Sequence, residues 1–350
     1  MELKDFISSS NISLYMKELP TEDTIEKTLF PSKLVAGTKL EYAKGAKNKS
    51  VALRQSTFDA AAKVRALRAE LNLKSMDFPY FKEALTIDET TRRELLNAIA
   101  ANNKNLVDAL LAQVYENYAD LVKGAEIVAK KMRASVLQNG YLNFVGGVDG
   151  DIVMDYDVPS EHIETITSPS DKWTVSSADI VGDINRIKKL MVNGQYKKPR
   201  VMYMTENTFD STFCINDAIT AHLRNSNLNT NSILTQQDYL NFTSQFLGLR
   251  VIFLEDTTYI PYEGASPVRY YEDNKVVFAP AEALGECNFG MTPEQFDKIH
   301  GSGKLDTTVI QDQIAITTMV KDDPVTVDTK VSVMPMVSFT EADNVYYLNF

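Results

Sequence analysis

Residues 86–140 read TIDETTRRELLNAIAANNKNLVDALLAQVYENYADLVKGAEIVAKKMRASVLQNG. Thr86-Ile-Asp-Glu89 has the spacing of a capping box, and Asn139-Gly140 is a helix stop, so the stretch between reads as helix to about Gln138. In its later part Val107, Leu111, Val114, Tyr118, Leu121, Val122, Ala125, Val128, Met132 and Val136 recur every three or four residues, which puts one apolar stripe on one face. The polar run Asn102-Asn103-Lys104-Asn105 is expected to bend or interrupt it. Some thirty residues of helix span about 45 Å at ~1.5 Å per residue, a length suited to a structural spine rather than a small catalytic domain.

Downstream, Tyr141–Val145 and Asp151–Tyr156 flank the glycine-rich 146–150, and this predicts a β-hairpin. The glycines belong to no phosphate loop, because neither GxxxxGK[ST] nor GxGxxG is present and no helix follows them. Asp149, Asp151 and Asp155 do not have the spacing of an EF-hand loop. From about Ser170 to Gly303 short capped helices alternate with strands, the pattern of an α/β region. Ser176–Asp179, Thr235–Asp238 and Thr292–Gln295 read as three helix starts. Ile180, Ile184, Ile187 and Met191 form the inner face of the first helix, and Tyr239, Phe242 and Phe246 that of the second. Arg200–Met204 and Arg250–Leu254 read as buried strands, and 268–278 as a hairpin turned at Asp273-Asn274. Residues 325–350, rich in Val, Thr, Tyr and Phe, are expected to be strands.

Upstream, residues 1 to about 38 are broken by Pro20, Pro31 and Gly37 and read as an extended arm. Residues 39–58 suggest a long hairpin with KLEY and VALRQSTF as flanks around AKGAKNKS, and 59–73 a short helix.

The chain of 350 residues carries a net charge of −11, unevenly distributed. Between Lys33 and Lys74 ten basic residues face three acidic ones, a surplus of seven, so the rest of the chain carries about −18. A basic segment on an acidic body suits nucleic acid, the acidic body of another copy, or plain solvation, and charge does not choose among them. The acidic total disfavours a surface built to grip phosphates. No apolar run approaches a membrane span, and MELKDFISSS lacks a basic start and a signal core, so the chain is expected to be made in, and to remain in, a cytoplasm.

Catalytic chemistry finds no constellation. Cys214 and Cys287 are too far apart in sequence for a CxxC pair, and His162, His222 and His300 form neither HxxxH nor HExxH. Where strands of the α/β region end, Glu206, Asp210, Glu255 and Asp256 could pair their carboxylates, but without a nucleophile, histidine or glycine-rich loop they read as caps and solvated turns. No catalytic, cofactor-binding or metal residue is expected.

Met132-Arg133, Leu137–Gly140, Asp155-Tyr156 and Pro159, Trp173, and the run Ala178-Asp-Ile-Val-Gly-Asp-Ile184 resemble, in their order along the chain, the phage major capsid protein E family. Further on come Gly194-Gln-Tyr-Lys-Lys-Pro199, Val276-Val-Phe-Ala-Pro280 with Gly285, Gly290-Met-Thr-Pro293, Asp323-Pro324 and Val333-Met-Pro-Met-Val337. The resemblance covers the chain from about residue 30.

It implies an α+β, HK97-like capsid fold with an N-terminal arm (1–38), a basic extended loop (39–85), a peripheral domain (86–168 and 311–350) holding the spine helix, and an α/β axial domain (169–310). It implies the major capsid protein of a tailed bacteriophage, self-assembled into hexamers and pentamers of an icosahedral head in the host cytoplasm. Portal, scaffold and decoration proteins would be its partners, and the enclosed double-stranded DNA would be bound without specificity. Lys39, Lys44, Lys47, Lys49, Arg54, Lys63, Arg65 and Arg68 become the candidate inter-subunit contacts. No lysine crosslink is expected at the loop tip. An encapsulin-like cargo shell and a soluble α/β enzyme stand as the alternatives.

Overall fold

The computed structural model describes residues 8–18, 23–44, 72–101, 103–144, 152–226, 233–311 and 313–350, which divide into two compact units. The first comprises Met1–Leu40, Ser75–Arg133 and Gly285–Ser338; the second comprises Glu41–Lys74, Ala134–Leu284 and Phe339–Phe350. No helix among the described residues is long and apolar enough to cross a membrane.

The first unit begins with helices α1 (Ser9–Glu18) and α2 (Ile25–Leu29), so the arm is not extended throughout. Ile12 and Met16 bury one face of α1, while Ser9 ties its start to Asp306 and Thr308 at 2.7 Å each. Strand β1 (Ser32–Val35) follows, then β2 (Lys39–Lys44), whose partner is β3 (Asn72–Asp77). The expected flank 51–58 of the hairpin lies outside the described residues, among which β2 pairs with β3. Asn72 and Leu73 are therefore strand rather than the end of a helix, and the remainder of 45–71 lies outside the described residues.

Strand β4 (Phe81–Ile87) leads into α3 (Glu89–Ala100) and α4 (Lys104–Asn139). The expected interruption at 102–105 is present. The expected capping box is displaced: Thr86 and Ile87 belong to the strand, and Asp88 caps α3 by accepting from the Thr91 N–H at 2.8 Å. The stripe on α4 is buried at Val107, Leu111, Val114, Tyr118, Val122, Ala125, Met132 and Val136, whereas Leu121 and Val128 are half-buried at its margin.

After α4 come β5 (Tyr141–Phe144) and β6 (Ile152–Asp155), an antiparallel pair as expected; the intervening loop, with Asp149 and Asp151, lies outside the described residues. The second unit is then built on a five-stranded sheet. Its strands are β7 (Ile163–Thr165), β8 (Val201–Thr205), β9 (Arg250–Leu254), β12 (Lys275–Ala279) and β18 (Tyr346–Asn349), in the order β7-β18-β12-β8-β9. β8 and β9 run parallel, and β12 lies antiparallel to both β8 and β18.

Around this sheet lie α5 (Ile180–Asn193), α6 (Glu206–Asp210), α7 (Asp217–Ser226) and α8 (Gln236–Gln245). The cap of α5 is Asp179, which accepts from the Gly182 N–H at 2.9 Å, rather than Ser176. Its inner face is the expected Ile180, Ile184, Ile187 and Met191, packed with Trp173, Phe213 and Phe278. On α8 Tyr239 and Phe242 are buried, but Phe246, the residue that follows its last turn, is 59% exposed and stacks on Phe242 at 5.0 Å. The expected 268–278 hairpin is also corrected. Asn274 makes the turn at φ 61°, yet β11 (Val268–Arg269) pairs with β10 (Thr258–Tyr259), and β12 joins the main sheet.

The chain then returns to the first unit through β13 (Glu286–Gly290), α9 (Pro293–His300), β14 (Asp306–Ile310), β15 (Ile314–Val320), β16 (Val327–Val333) and β17 (Pro335–Ser338). An antiparallel sheet runs β14-β15-β16-β4, and a second one runs β1-β13-β17 with β1 parallel to β13.

Candidate assembly surfaces

Of the eight basic candidates, Lys39 lies exposed in β2, 3.8 Å from the Asp77 carboxylate of β3, and Lys44 ends β2. Lys47, Lys49, Arg54, Lys63, Arg65 and Arg68 lie outside the described residues. The Lys39–Asp77 pair is exposed on both sides and contributes little by itself, since water screens it.

The foot of the extended segment is fixed more firmly. Tyr80, just before β4, donates its hydroxyl to Glu294 of α9 at 2.7 Å. The same carboxylate takes the Lys330 ammonium and, at 3.0 Å, the Ser332 hydroxyl, both from β16. Burial pushes the Glu294 carboxyl upward, but the hydrogen bonds from Lys330 and Tyr80 outweigh it and hold the group at about 2. Helix α9 is fixed with its polar first turn inward, and Phe296 and Ile299 face outward, 57% and 61% exposed. Thr292 and Gln295 form a capping box at the expected helix start, at 2.7 and 3.3 Å.

A second anchor holds the arm. Arg133 of α4 is 3% exposed and donates to the Phe30 carbonyl at 3.1 Å and to the Ser32 hydroxyl at 2.8 Å. The sequence marked Met132-Arg133 only as part of a resemblance. A charged residue inside an apolar stripe is the signal that would have found its role. Glu294 stood in the sequence only as part of the helix start Thr292–Gln295.

The carboxylates at the strand ends do not converge on a catalytic arrangement. Glu206 and Asp210 both accept from the Gln236 amide at 3.0 Å, and Asp256 pairs with Arg269 at 2.6 Å. Thr205 caps α6, its hydroxyl accepting from the Thr208 N–H. Among the described residues no group of His, Cys, Asp and Glu is arranged to hold a metal ion.

A chain with a long helix, an extended paired segment anchored at its foot, and a separate mixed α/β unit has the α+β architecture of the HK97-like capsid proteins. It aligns with the protein assigned as the capsid protein of a prophage in E. coli CFT073, at 10% identity over 98% of this chain and 99% of that one, TM-score 0.59. It also aligns with a phage-related protein from Bordetella bronchiseptica RB50, at 9% identity over 98% and 97% of the two chains, TM-score 0.52. No curated protein sequence matches it. The profile of the phage major capsid protein E family matches residues 10–348, and the chain belongs to that family. Its role is structural: it is a phage capsid protein, and its place is the virion.

Proposed function

We propose that copies of this chain close into the icosahedral head of a tailed phage through hexamers and pentamers, enclosing double-stranded DNA, and that the chain works without catalytic chemistry. The observation that carries this is the family match over residues 10–348, in a chain whose order of elements is that of a shell subunit. In this reading the arm is 1–38 and the extended loop 39–85. The peripheral domain is 86–168 with 311–350, and the axial domain is 169–310. Assembly takes place in the host cytoplasm, with portal and scaffold proteins as partners and a decoration protein on the outside.

The surplus of seven positive charges between Lys33 and Lys74 lies over the acidic body of a neighbouring subunit. Opposite potentials then steer encounter and set register, and apolar contacts supply most of the stability. Packaged DNA meets a chain with an acidic surplus and is enclosed without specific binding.

The test is electron microscopy and sedimentation of the chain expressed alone and with its neighbouring phage genes. Closed shells or capsomer rings are expected, with assembly slowing as ionic strength rises. A monodisperse monomer under both conditions overturns the shell reading. Assembly indifferent to salt overturns the role of the basic segment.

A further inference from the structure

The second unit carries opposite charges at its two ends. In the parallel pair β8–β9, Val201 is matched with Arg250 and Thr205 with Leu254, so the strand starts share one end and the strand finishes the other. At the starting end lie Arg200 and Arg250, with Lys198 just before β8, all exposed. Lys188 and Lys189 reach the same end from the last turns of α5; the Lys188 ammonium donates to the Leu247 carbonyl, just before β9. The acids Glu282 and Glu341 both converge on Lys197, at 2.8 and 2.9 Å, on the side of β12 and β18. Lys189, Lys198, Arg200 and Arg250 have no acidic partner within ion-pair distance among the described residues.

The finishing end is acidic. Glu206 and Asp210 follow β8, Glu255 and Asp256 follow β9, and the Thr205 hydroxyl donates to Asp273 at 2.5 Å, which brings Asp273 to the same end. Arg269 neutralises Asp256 and Asp273, at 2.6 and 2.7 Å, and in doing so roots the two-stranded ribbon β10–β11 on the sheet. Glu206, Asp210 and Glu263 have no basic partner among the described residues. Both ends also expose apolar side chains: Ile260 and Tyr262 on the ribbon, Val192 and Phe246 beside the bases.

We infer that the acidic end of this unit, with the Ile260–Tyr262 ribbon, docks on the basic end of the same unit in the next copy, around Arg200, Arg250, Val192 and Phe246. The inference rests on the ring-building reading above and names its contact. A head-to-tail contact between two different patches of one chain is the kind that generates rings. Charge complementarity at the rim with apolar side chains to bury is the usual composition of such an interface. Because Arg269 and its two carboxylates already hold the ribbon in place, less ordering entropy is lost when it docks.

The experiment uses the full chain in three forms. One carries Arg200→Glu with Arg250→Glu, a second Asp210→Lys with Glu263→Lys, and a third all four changes. Far-UV circular dichroism and the fluorescence of Trp173, the only tryptophan, verify folding; Ile260→Ser with Tyr262→Ser tests the same contact without changing charge. Each two-residue reversal is expected to cut the yield of rings and shells about tenfold or more, since like charges then face each other. The four-residue form is expected to recover. A one-to-one mixture of the two reversals should also recover, giving even-numbered rings of alternating copies. Wild-type yield from either folded reversal, or no recovery in both the mixture and the four-residue form, overturns the contact. The wild-type chain run alongside separates the two readings, because its failure to assemble under any condition strikes the shell assignment instead.

Discussion

Glu294 of α9 accepts the Tyr80 hydroxyl at 2.7 Å across 214 residues of sequence, and so fastens the foot of the extended segment to the helix that follows β13. The fixing is reinforced by Lys330 and Ser332 on the same carboxylate, which turns three separate elements into one buried polar network.

The acid side of the stability profile should report this network. A carboxyl held at about 2 contributes stability that is fully present above its ordinary value of 4.5 and is lost as the pH falls through about 2. Glu294→Gln keeps the shape but removes the charge that Lys330 pairs with. It is expected to cost about 2–3 kcal/mol at neutral pH and to flatten the decline of stability below pH 4.5, measured by urea unfolding across pH.

Arg133→Met leaves the Phe30 carbonyl and the Ser32 hydroxyl without their donor while keeping the volume of the side chain. A loss of about 2–4 kcal/mol is expected. Hydrogen exchange should show the loss of protection concentrated in residues 25–35. Protection unchanged there would show that the arm is held by apolar packing alone.

Gly140 ends α4 at φ +72°, and a Cβ there would meet Tyr347 and Val158 at 2.9 Å. Gly140→Ala therefore combines a left-handed backbone with overpacking, and a cost of about 2–4 kcal/mol is expected in thermal unfolding. Gly248, at φ +62° with open space around its Cβ position, is the control: Ala there is expected to cost only about 1–2 kcal/mol.

Both thiols should be inert in the folded chain. Burial pushes Cys214 up to about 12, helped by Asp210, and pushes Cys287 up to about 11 against the opposing pull of Arg133. Alkylation with iodoacetamide at pH 8 is expected to reach neither residue until denaturant is added. Rapid modification of native Cys287 would contradict its burial.

Much of the fold was readable because its signals are local. The stripe on α4, the break at 102–105 and the Thr235 and Thr292 caps each depend on residues within a turn or two of one another. Misreadings fall where a distant partner decides. Thr86 reads as a cap, yet its hydroxyl donates to Asp328 at 2.7 Å and its backbone joins β16, so the cap falls to Asp88. Phe246 continues the spacing of Tyr239 and Phe242 but is left outside. The basic segment was legible as charge, and six of its eight candidates lie outside the described residues.

By itself the sequence determined the stripe and stop of α4, the inner face of α5, the starts of α8 and α9, and that a basic segment interrupts an acidic chain, because periodicity, capping and charge are properties of neighbouring residues. Only the tertiary structure decided that β2 pairs with β3, that β4 pairs with β16, and that the two ends of the β8–β9 pair carry opposite charge. Strands of similar alternation are interchangeable by local pattern, and long loops add little to the cost of closure, so the buried faces of the whole chain choose the partners.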